Sequence, residues 1–575
     1  MAAFQKALCL LPLFFIHGYA QFLFRNPFAP FFPRPAEGSL RVDGNAQSDF
    51  ETKSKGTWQI FSKDSGVSSM HMQLLPNNKV IMYDAAAFHI SNIKLPNGVC
   101  IPFKDKDGKE LQDCWSHGVE FDTDTGNVRP LKMQYDPWCS SGGLSPIDGT
   151  LLSTGGWNDG IKTVRYIAPC EICDFEEYQT ALADPRWYAT QITLADGGFL
   201  LVGGRKAYTY EYVPPKGASN EKATKLALLD QTTDLDENNL YPFVHLSTDG
   251  NIFIFANNRA ILLNLEKNEV VHEFPVLDGG SRNYPASGMS ALLPIKLHVD
   301  NAEVIPAEIM VCGGAKPNAY GLAGKGQFIP ALQDCGRIQI TKPNAVWKKE
   351  YMPSQRVMGD MLILPTGKLL IINGAKKGTA AWAYAEDPNL VPVHYDPDGP
   401  KNKRFKELNP SKIPRMYHST SAVLQDGKIL VAGSNTNPGY DYKAKYPTEL
   451  RVEKFSPPYL DKELDQHRPE IVELASTKRF TYGQTIIFRF KLEDEVLSKA
   501  DIKVTMLAPP FTTHGYSMNQ RMLILGKKEV TMHLGGVQQV VAVAPPSRVV
   551  APPGYYLIFL VYRGVPSKGM WVQIM

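Results

Sequence analysis

The 575-residue sequence lacks a large excess of charge of either sign. Its 61 Lys and Arg residues nearly balance its 58 Asp and Glu residues, and the formal net charge is only +3. A protein that attracts nucleic acid or an anionic membrane by long-range electrostatics needs a strong positive excess. We therefore predict no nucleic-acid partner and no membrane partner.

Long hydrophobic runs are also missing, because after residue 20 no apolar run is long enough to span a bilayer, which takes ~20 residues. Residues 1–20 contain the one strongly apolar run, with Lys6 before it and small residues at its end. This pattern is typical of a secretory signal peptide cleaved after about Ala20. Pro12 and His17 argue against the alternative, a membrane anchor. We predict that the protein is secreted.

Cysteine is scarce. Removal of Cys9 with the signal peptide leaves an odd number of cysteines in an oxidising compartment, so one thiol should stay unpaired. Cysteines that are neighbours in the chain suggest three disulfides: Cys100–Cys114, Cys170–Cys173 and Cys312–Cys335. Cys139 is then the unpaired one. The "CEIC" segment at 170–173 is the alternative, a redox pair, but it lacks a thioredoxin-like context.

A short unit recurs through most of the chain: an apolar run, a turn and a second apolar run that ends in glycine, as in "TLADGGFLLVGG". Its turns are mostly 48 to 60 residues apart and lie at Asn77, Asp148, Asp196, Asp249, Pro306, Thr366 and Asp426. A period near 50 with one strong hairpin per repeat is typical of kelch propellers. We predict an all-β fold with a seven-bladed kelch-type β-propeller. An open solenoid would leave strand edges exposed.

The repeat places the propeller at residues 45–455. Residues 456–575 contain short alternating segments such as "QTIIFRF" and "YYLIFLVY", which are typical of an Ig-like β-sandwich. Residues 21–44, between the signal peptide at 1–20 and the propeller, are rich in proline and are predicted to form an extended lead-in.

Reactive residue types occupy one place in the repeat, eight or nine residues before the turn. That place holds Cys139, Tyr188, Tyr241, Met358 and the adjacent Tyr417 and His418. Rotation from blade to blade would let these side chains face one another around the axis. Tyrosines in strands usually pack, and Tyr241 is assigned that role. An unpaired cysteine beside a tyrosine, together with a Tyr-His pair, suggests copper, which imidazole suits.

At this point a family resemblance is evident. The chain resembles the copper-radical oxidases, the galactose oxidase and glyoxal oxidase group, and particularly the plant glyoxal-oxidase-like proteins. The propeller segments that carry the resemblance are "GTWQIFSKDSGVSSMHMQLLPNNKV", "DPWCSSGG", "PRWYAT", "RNYPASG", "RVMGDM" and "PRMYHS". In the last domain they are "SPPYL" and "APPFTTHGYSMNQRM". The resemblance covers essentially the whole chain after the signal peptide.

The resemblance implies a role for each matching residue. Cys139 is expected to form a thioether with the ring of Tyr188, which gives a protein-derived radical cofactor, and Tyr188 is also an expected copper ligand. Tyr417 is expected to be the axial tyrosine that accepts a proton from substrate. His418 and His514 are expected to be the imidazole ligands of one copper ion. Because His514 lies in the C-terminal domain, a loop of that domain must reach the propeller's centre.

The resemblance also implies an activity: oxidation of small aldehydes such as glyoxal or methylglyoxal to carboxylic acids, with O2 reduced to H2O2. The expected location is the apoplast or cell wall, with a peroxidase downstream. A galactose or primary-alcohol oxidase is one alternative, and a non-catalytic binding propeller is another.

One departure from the family pattern favours the glyoxal-oxidase branch. Galactose oxidases carry a tryptophan shortly after the Gly-Gly that follows the radical tyrosine, whereas "LLVGGRKAYTYEY" has Arg205 and Lys206 there. The chain also shows no lectin-like N-terminal domain of the galactose oxidase kind. Both features put galactose turnover in doubt.

Overall fold

The structure, a computed structural model, describes residues 47–493, 497–532 and 536–575. The predicted signal peptide, residues 1–20, and the predicted lead-in, residues 21–44, lie outside these residues. Within them, no helix has both the length and the apolar character needed to cross a membrane. The regular secondary structure of these residues is almost entirely β-strand.

The first half of the chain forms short strands. In chain order they are β1 (Thr57–Ser62), β2 (His71–Leu74), β3 (Lys79–Tyr83), β4 (Ile101–Lys104), β5 (Glu110–Asp113), β6 (Gly118–Asp122), β7 (Val128–Leu131), β8 (Ser141–Leu144), β9 (Leu151–Thr154), β10 (Val164–Ile167), β11 (Glu176–Tyr178), β12 (Thr190–Thr193), β13 (Phe199–Val202), β14 (Thr209–Tyr212), β15 (Thr224–Lys225), β16 (Phe243–Leu246), β17 (Ile252–Ala256), β18 (Arg259–Asn264) and β19 (Glu269–Glu273).

The second half continues in the same way up to the change of pattern near residue 456. Its strands are β20 (Met289–Leu292), β21 (Ile295–Lys296), β22 (Glu308–Cys312), β23 (Asp334–Gln339), β24 (Lys348–Tyr351), β25 (Asp360–Ile363), β26 (Leu369–Ile372), β27 (Ala375–Gly378), β28 (Ala385–Pro388), β29 (Val393–Tyr395), β30 (Phe405–Glu407), β31 (Ser419–Val423), β32 (Ile429–Gly433) and β33 (Val452–Ser456).

The last part of the chain contains β34 (Glu470–Ile471), β35 (Arg479–Phe480), β36 (Thr485–Lys491), β37 (Ile502–Ala508), β38 (Phe511–Thr513), β39 (Tyr516–Met518), β40 (Arg521–Ile524), β41 (Lys527–Met532), β42 (Val537–Val543), β43 (Gly554–Tyr562), β44 (Val565–Pro566) and β45 (Met570–Ile574). Helices are few and short: α1 (Ala227–Gln231), α2 (Ala319–Ala323) and the 3-10 turns Pro96–Gly98, Asn158–Gly160, Lys401–Lys403, Pro458–Leu460, Lys462–His467 and Glu473–Ala475.

Seven antiparallel sheets form the blades of the propeller, which confirms the predicted fold class. From the inner to the outer strand, the blades are β2-β3-β6-β7, β8-β9-β10-β11, β12-β13-β14-β15, β16-β17-β18-β19, β20-β22-β23-β24, β25-β26-β29-β30 and β31-β32-β33-β1. The seventh blade takes its outer strand from the start of the chain, where Thr57 pairs with Ser456 and Ile60 with Glu453. This pairing closes the ring and leaves no open solenoid end.

The predicted turns lie between the two inner strands of the blades. In blade 3, Asp196 Oδ1 accepts a hydrogen bond of 2.8 Å from Gly198 N, and Gly197 has a φ of +91°. Blade 7 repeats this arrangement with Gly427, whose φ is +80°. Glycine adopts a positive φ without the steric penalty that other residues meet. The Asp-Gly pairs therefore mark the inner hairpins from sequence alone.

The C-terminal domain packs two β-sheets, as predicted for an Ig-like sandwich. One sheet has the order β34-β36-β42-β41, and the other has the order β21-β40-β37-β43-β45-β35, with β44 paired to β43. Residues alternate along β36, where Ile486, Phe488 and Phe490 are buried and their neighbours are more exposed. Strand β21 comes from blade 5 and pairs in parallel with β40. The exact domain boundaries at 45–455 and 456–575 stay predictions.

The disulfide predictions are confirmed. Cys100–Cys114, Cys170–Cys173 and Cys312–Cys335 are bonded. Cys139 is free and buried. Within blade 5, Cys312 and Cys335 lie directly opposite each other on β22 and β23.

A hairpin of the C-terminal domain, β38 and β39, occupies the centre of the ring. Strand β38 pairs antiparallel with β2, the inner strand of blade 1, with Met72 opposite Thr512. The hairpin also contacts the inner strands β8, β12, β20, β25 and β31. At blade 4, the Tyr516 hydroxyl donates to Val244 O at 2.8 Å and accepts from Val244 N at 2.9 Å. The hairpin thus joins the two domains along the propeller axis.

Candidate active site

The loops that enter the inner strands share an unusual backbone conformation. The residue one or two positions before the strand has a left-handed φ at Cys139 (57°), Tyr188 (63°), Tyr241 (47°), Ser287 (38°), Met358 (58°) and His418 (64°). Left-handed φ values are strained for side chains other than glycine and tend to occur at functional sites. The equivalence that the sequence predicted for five of these positions is therefore visible in the backbone, and Ser287 is the blade 5 member that the sequence did not indicate.

Hydrogen bonds between adjacent blades hold these strained residues. Tyr188 N donates to Cys139 O at 3.1 Å, and Tyr241 N donates to Tyr188 O at 2.8 Å. Farther round the ring, Met358 N donates to Ser287 O at 2.7 Å. These backbone hydrogen bonds offset the strain and fix the direction in which each side chain points from its loop.

A buried arginine lies two residues before each site tyrosine. Arg186 donates from Nη1 to Gly203 O at 2.8 Å and from Nε to Glu211 Oε1 at 2.9 Å. Arg415 repeats this arrangement below Tyr417, with contacts of 2.8 Å to Gly433 O and 3.0 Å to Glu453 Oε2. Buried guanidinium groups require such partners, and here the partners tie the entry loop to the second and third strands of its own blade.

His514 lies at the tip of the β38–β39 hairpin, with a φ of +50°. Its Nδ1 is 2.6 Å from Thr513 Oγ1, and its Nε2 is 3.2 Å from Cys139 Sγ. The ligand atoms of Cys139, His418 and His514 all lie within 4.8 Å of one another. The C-terminal domain therefore reaches the propeller's centre, as the sequence predicted.

The two predicted tyrosines border the same cluster. The Tyr417 ring stacks on His418 with centroids 3.7 Å apart and lies 5.6 Å from the His514 ring. The Tyr188 ring centroid is 5.9 Å from that of His514. The five residues to which the family resemblance gave a role thus converge on one buried point, drawn from blades 2, 3 and 7 and from the C-terminal hairpin.

Burial keeps every group in the cluster neutral at ordinary pH. Desolvation raises the pKa of the Cys139 thiol, with hydrogen bonding to Tyr188 as a smaller opposing effect. Desolvation likewise raises the pKa values of Tyr188 and Tyr417 and lowers those of His418 and His514. A buried ionisable group prefers its uncharged form, because charge is costly where water is excluded.

The cluster fits a mononuclear metal ion. His418 Nε2 is buried and has no hydrogen-bond partner among the described residues, which is costly for a polar atom unless a further partner binds there. Neutral imidazoles with phenol and sulfur donors suit copper. Magnesium and calcium instead prefer ligand sets made up of oxygen atoms. A third imidazole, His71 on β2, lies farther off, with its ring centroid 6.2 Å from that of His514.

Comparisons with known proteins agree with this geometry. Residues 70–459 match the family model described as glyoxal oxidase N-terminus, and residues 468–574 match the one described as galactose oxidase-like, Early set domain. The chain belongs to the glyoxal oxidase family. Aldehyde oxidase GLOX1 of Arabidopsis thaliana is 54% identical over 90% of the chain and 84% of that protein. Aldehyde oxidase GLOX of Vitis pseudoreticulata is 41% identical over 90% of the chain and 97% of that protein.

A solved structure shares the fold. A fungal alcohol oxidase in complex with copper superposes with a TM-score of 0.68 at 17% identity, over 90% of this chain and 99% of that one. Together with the family membership, these comparisons identify an oxidoreductase of the copper-radical type, and copper is the metal that the cluster supports.

Two rings that the sequence did not single out contact Tyr188 in this glyoxal oxidase family member. The Trp187 ring centroid lies 4.6 Å from that of Tyr188, and the Tyr284 ring stacks on Tyr188 at 4.4 Å with planes 25° apart. The Tyr284 hydroxyl lies 3.2 Å from that of Tyr188 and 2.8 Å from that of Tyr417. Tyr188 is therefore covered by aromatic rings although the tryptophan after Gly-Gly is absent.

A signal for Tyr284 does exist in the sequence. Arg186 and Tyr188, Arg282 and Tyr284, and Arg415 and Tyr417 share one Arg-x-Tyr frame. Spacing from the turn missed Tyr284 for two reasons. Tyr284 lies three residues before Ser287, the blade 5 residue with the left-handed φ. The segment between β20 and β22 is also long and carries β21, which pairs with the C-terminal domain instead of the blade.

A cavity of about 280 Å³ opens beside the cluster. Tyr188, Tyr284 and Tyr417 line it, and other lining residues include Trp138, Trp187, Trp382, Tyr320, Arg205 and Glu237. The Arg205 guanidinium lies 5.5 Å from the Trp187 ring centroid, and its Nε is 2.7 Å from Glu237 Oε2. Arg205 therefore borders the cavity and braces a ring that covers Tyr188. Lys206 is not among the residues that line this cavity.

Proposed function

We propose that this protein is a secreted copper-radical oxidase that converts small aldehydes such as glyoxal and methylglyoxal to carboxylic acids and reduces O2 to H2O2. One observation carries the proposal: Cys139, Tyr188, Tyr417, His418 and His514 converge on one buried point beside a cavity. The close relatives are named aldehyde oxidases, which favours aldehydes over galactose. The signal-like residues 1–20 support secretion.

His418, His514, Tyr188 and Tyr417 are the residues that would hold the metal. Copper, when bound, supplies a one-electron acceptor next to a tyrosine that can supply a second oxidising equivalent. Two imidazole nitrogens and two phenol oxygens would not exhaust the ligands that copper can take, so a substrate oxygen could also bind. The buried, neutral state of both imidazoles keeps their nitrogen lone pairs available.

Cys139 would bind covalently to the Tyr188 ring. Formation of this thioether breaks the S–H bond and one ring C–H bond and makes one C–S bond. The two electrons and two protons released reduce O2 to H2O2. The proximity of the two residues supports this pairing, because Tyr188 N donates to Cys139 O at 3.1 Å. It also accounts for the one cysteine that is left out of the disulfides.

In its phenolate form, which the positive charge of bound copper would favour, Tyr417 would accept the substrate's hydroxyl proton. Tyr417 is placed for that role because it borders the cavity and stacks against His418. A general base must lie within hydrogen-bond reach of the proton it removes. The substrate on this scheme is the hydrated aldehyde, RCH(OH)2. Loss of two hydrogens gives RCOOH, and O2 takes up both as H2O2, so atoms and electrons balance. A hydrate of a few heavy atoms fits the 280 Å³ cavity.

The test is peroxide release from the copper-loaded, secreted protein with glyoxal, methylglyoxal and galactose side by side. We expect peroxide with both aldehydes, little with galactose, and a mass two hydrogens below that of the unlinked chain. Cys139→Ser should lose the mass deficit and the activity. Peroxide mainly with galactose would replace the aldehyde assignment with a primary-alcohol oxidase. Copper-loaded protein without thioether or peroxide would favour the non-catalytic binding propeller.

A further inference from the structure

Tyr284 occupies a position between the two phenols that are proposed to bind copper. It is 8% exposed, and its hydroxyl lies 3.2 Å from the Tyr188 hydroxyl and 2.8 Å from the Tyr417 hydroxyl. Either atom of each pair can be the donor, so a single phenol links the two residues by hydrogen bonds. Tyr284 is thus a direct physical connection between Tyr188 and Tyr417.

The ring of Tyr284 contacts Tyr188, which its hydroxyl also contacts. It stacks on Tyr188 with a centroid distance of 4.4 Å and an interplanar angle of 25°. Aromatic faces carry excess negative charge and attract a cation placed over them. A ring that has lost an electron is a comparable electron-poor partner, so a stacked phenol stabilises it relative to the neutral ring.

The loop around Tyr284 holds this side chain firmly. Tyr284 N donates to Leu240 O at 3.1 Å, and Leu240 N donates to Tyr284 O at 3.2 Å. Arg282 fixes the loop from below, with Nη1 donating to Gly313 O at 2.7 Å and Nη2 donating to Asp334 Oδ2 at 2.9 Å. Asn283 Nδ2 donates to Tyr241 O at 3.0 Å. These contacts set the tyrosine in place before any ligand binds.

We propose that Tyr284 is a positioning residue for the radical chemistry. Its hydroxyl sets the orientation of Tyr417 relative to Tyr188, and its stacked ring prolongs the life of the oxidised Tyr188. The inference rests on the proposed function and deepens it. In galactose oxidases the tryptophan after Gly-Gly stacks over the radical tyrosine. Here Tyr284 and Trp187 would shield Tyr188 in its place.

Two substitutions separate the two effects. Tyr284→Phe keeps the stacked ring and loses the hydroxyl, whereas Tyr284→Leu loses both. Tyr210→Phe is the matched control, because Tyr210 is a buried blade 3 tyrosine whose hydroxyl bonds Asn268 outside the site. Each purified protein is loaded with copper under air. Its copper content and thioether mass deficit are measured before any kinetics.

The activity readout is kcat and KM for methylglyoxal. For Tyr284→Phe we expect copper content and mass deficit to match the parent, kcat to fall at least tenfold and KM to stay within twofold. A packing defect alone would instead lower copper content or thioether yield. Tyr210→Phe should match the parent in every respect.

The second readout does not depend on turnover. Ferricyanide, a one-electron oxidant, converts reduced Tyr188 to the radical and becomes ferrocyanide, and the radical's optical and EPR signals are followed after the oxidant is removed. We expect Tyr284→Phe to keep at least half of the parent's radical half-life and Tyr284→Leu to lose at least tenfold. If Tyr284→Leu does not fold, Tyr284→Met, which has a longer side chain without an aromatic ring, replaces it in this measurement.

The outcomes separate this inference from the function on which it rests. A parent with thioether and peroxide, and a Tyr284→Phe variant within twofold of its kcat, would overturn the role of the hydroxyl. A folded Tyr284→Leu variant with the parent's radical half-life would overturn the role of the ring. A parent that carries copper but neither forms the thioether nor releases peroxide overturns the proposed function, and this inference with it.

Discussion

His514 Nε2 lies 3.2 Å from Cys139 Sγ, although 375 residues separate them in the chain. One belongs to the hairpin of the C-terminal domain and the other to the loop that enters blade 2. The contact exists because β38 pairs with β2 and extends blade 1 into the ring's centre. The proposed copper site is therefore shared between the two domains, and the hairpin is the element that completes it.

The first prediction concerns the orientation of His514. Thr513 Oγ1 lies 2.6 Å from His514 Nδ1 and so fixes which ring nitrogen faces the cluster. Partners of a ligand's second nitrogen typically contribute 10–100-fold to metal affinity. We expect Thr513→Val to weaken copper binding by about that factor and His514→Ala to abolish it, as measured by copper titration. His298→Ala, at an exposed position, is the control. Unchanged affinity in Thr513→Val would exclude the orienting role.

A second prediction concerns the hold of the hairpin on blade 4. The Tyr516 hydroxyl bonds both Val244 N and Val244 O, and Tyr516 is fully buried. A buried polar group that loses its partner costs about 1–3 kcal/mol. We expect Tyr516→Phe to lower the free energy of unfolding by about that amount in urea titrations and to reduce thioether yield. Mass spectrometry measures the thioether yield. An unchanged yield would show that the hairpin can loosen without disturbing Cys139 and Tyr188.

A third prediction compares a buried ion pair with an exposed one. Arg186 and Glu211 are buried at 2.7 Å, whereas Arg205 and Glu237 are partly exposed at the same distance. Removal of one partner of a buried pair costs about 3–5 kcal/mol, whereas an exposed pair contributes about 0–1 kcal/mol. Glu211→Gln should therefore destabilise the protein strongly and Glu237→Gln barely. Equal effects in denaturant titration would contradict the assigned role of Arg186 beneath Tyr188.

The fourth prediction concerns pH. Burial raises the pKa of Asp360 to about 7, with hydrogen bonds from Ser421 and Asn373 opposing the rise. Between about pH 4 and pH 7 the native state then binds a proton that the unfolded state releases. The contribution of Asp360 to the free energy of unfolding therefore falls as pH rises through this window, by an amount on the order of a few kcal/mol.

Asp360→Asn should remove the part of that slope that belongs to Asp360 and make the protein more stable than the parent at pH 8. Other groups keep slopes of their own: burial also raises the pKa of Asp84 to about 7, and burial lowers the pKa of His245 to about 3, which makes stability rise with pH. The measurement is the unfolding free energy at pH 4, 6 and 8. Asp249→Asn, at an exposed turn, is the control. A variant whose slope matches the parent's would contradict the assignment to Asp360.

Much of the fold could be predicted because its signals are local. The inner hairpins follow from Asp-Gly turns such as Asp196–Gly197, where glycine meets the need for a positive φ. The disulfides follow from proximity along the chain. The Arg-x-Tyr pattern indicates the loops that lead into the inner strands. Each of these arginines is buried and needs hydrogen-bond partners, which its own blade provides.

The prediction was weakest where a blade departs from its own repeat. In blade 5 the segment between β20 and β22 sends β21 to the C-terminal sheet, so spacing from the turn no longer finds the site position. Tyr284 was missed for that reason and because it lies three residues before Ser287, the left-handed residue of blade 5. Trp187 was missed because a tryptophan next to a site residue in sequence gives no indication of which ring it will contact.

The sequence by itself determined the strands, their turns, the disulfides and the chemical types available to the site. All of these depend on interactions between residues that are near in the chain, such as alternating burial and turn geometry. Only the tertiary structure decided which groups meet: His514 with Cys139, and Tyr284 with both Tyr188 and Tyr417. Those contacts depend on the closed ring and the docked hairpin acting together, and the distances between the groups follow neither from strand periodicity nor from turn spacing.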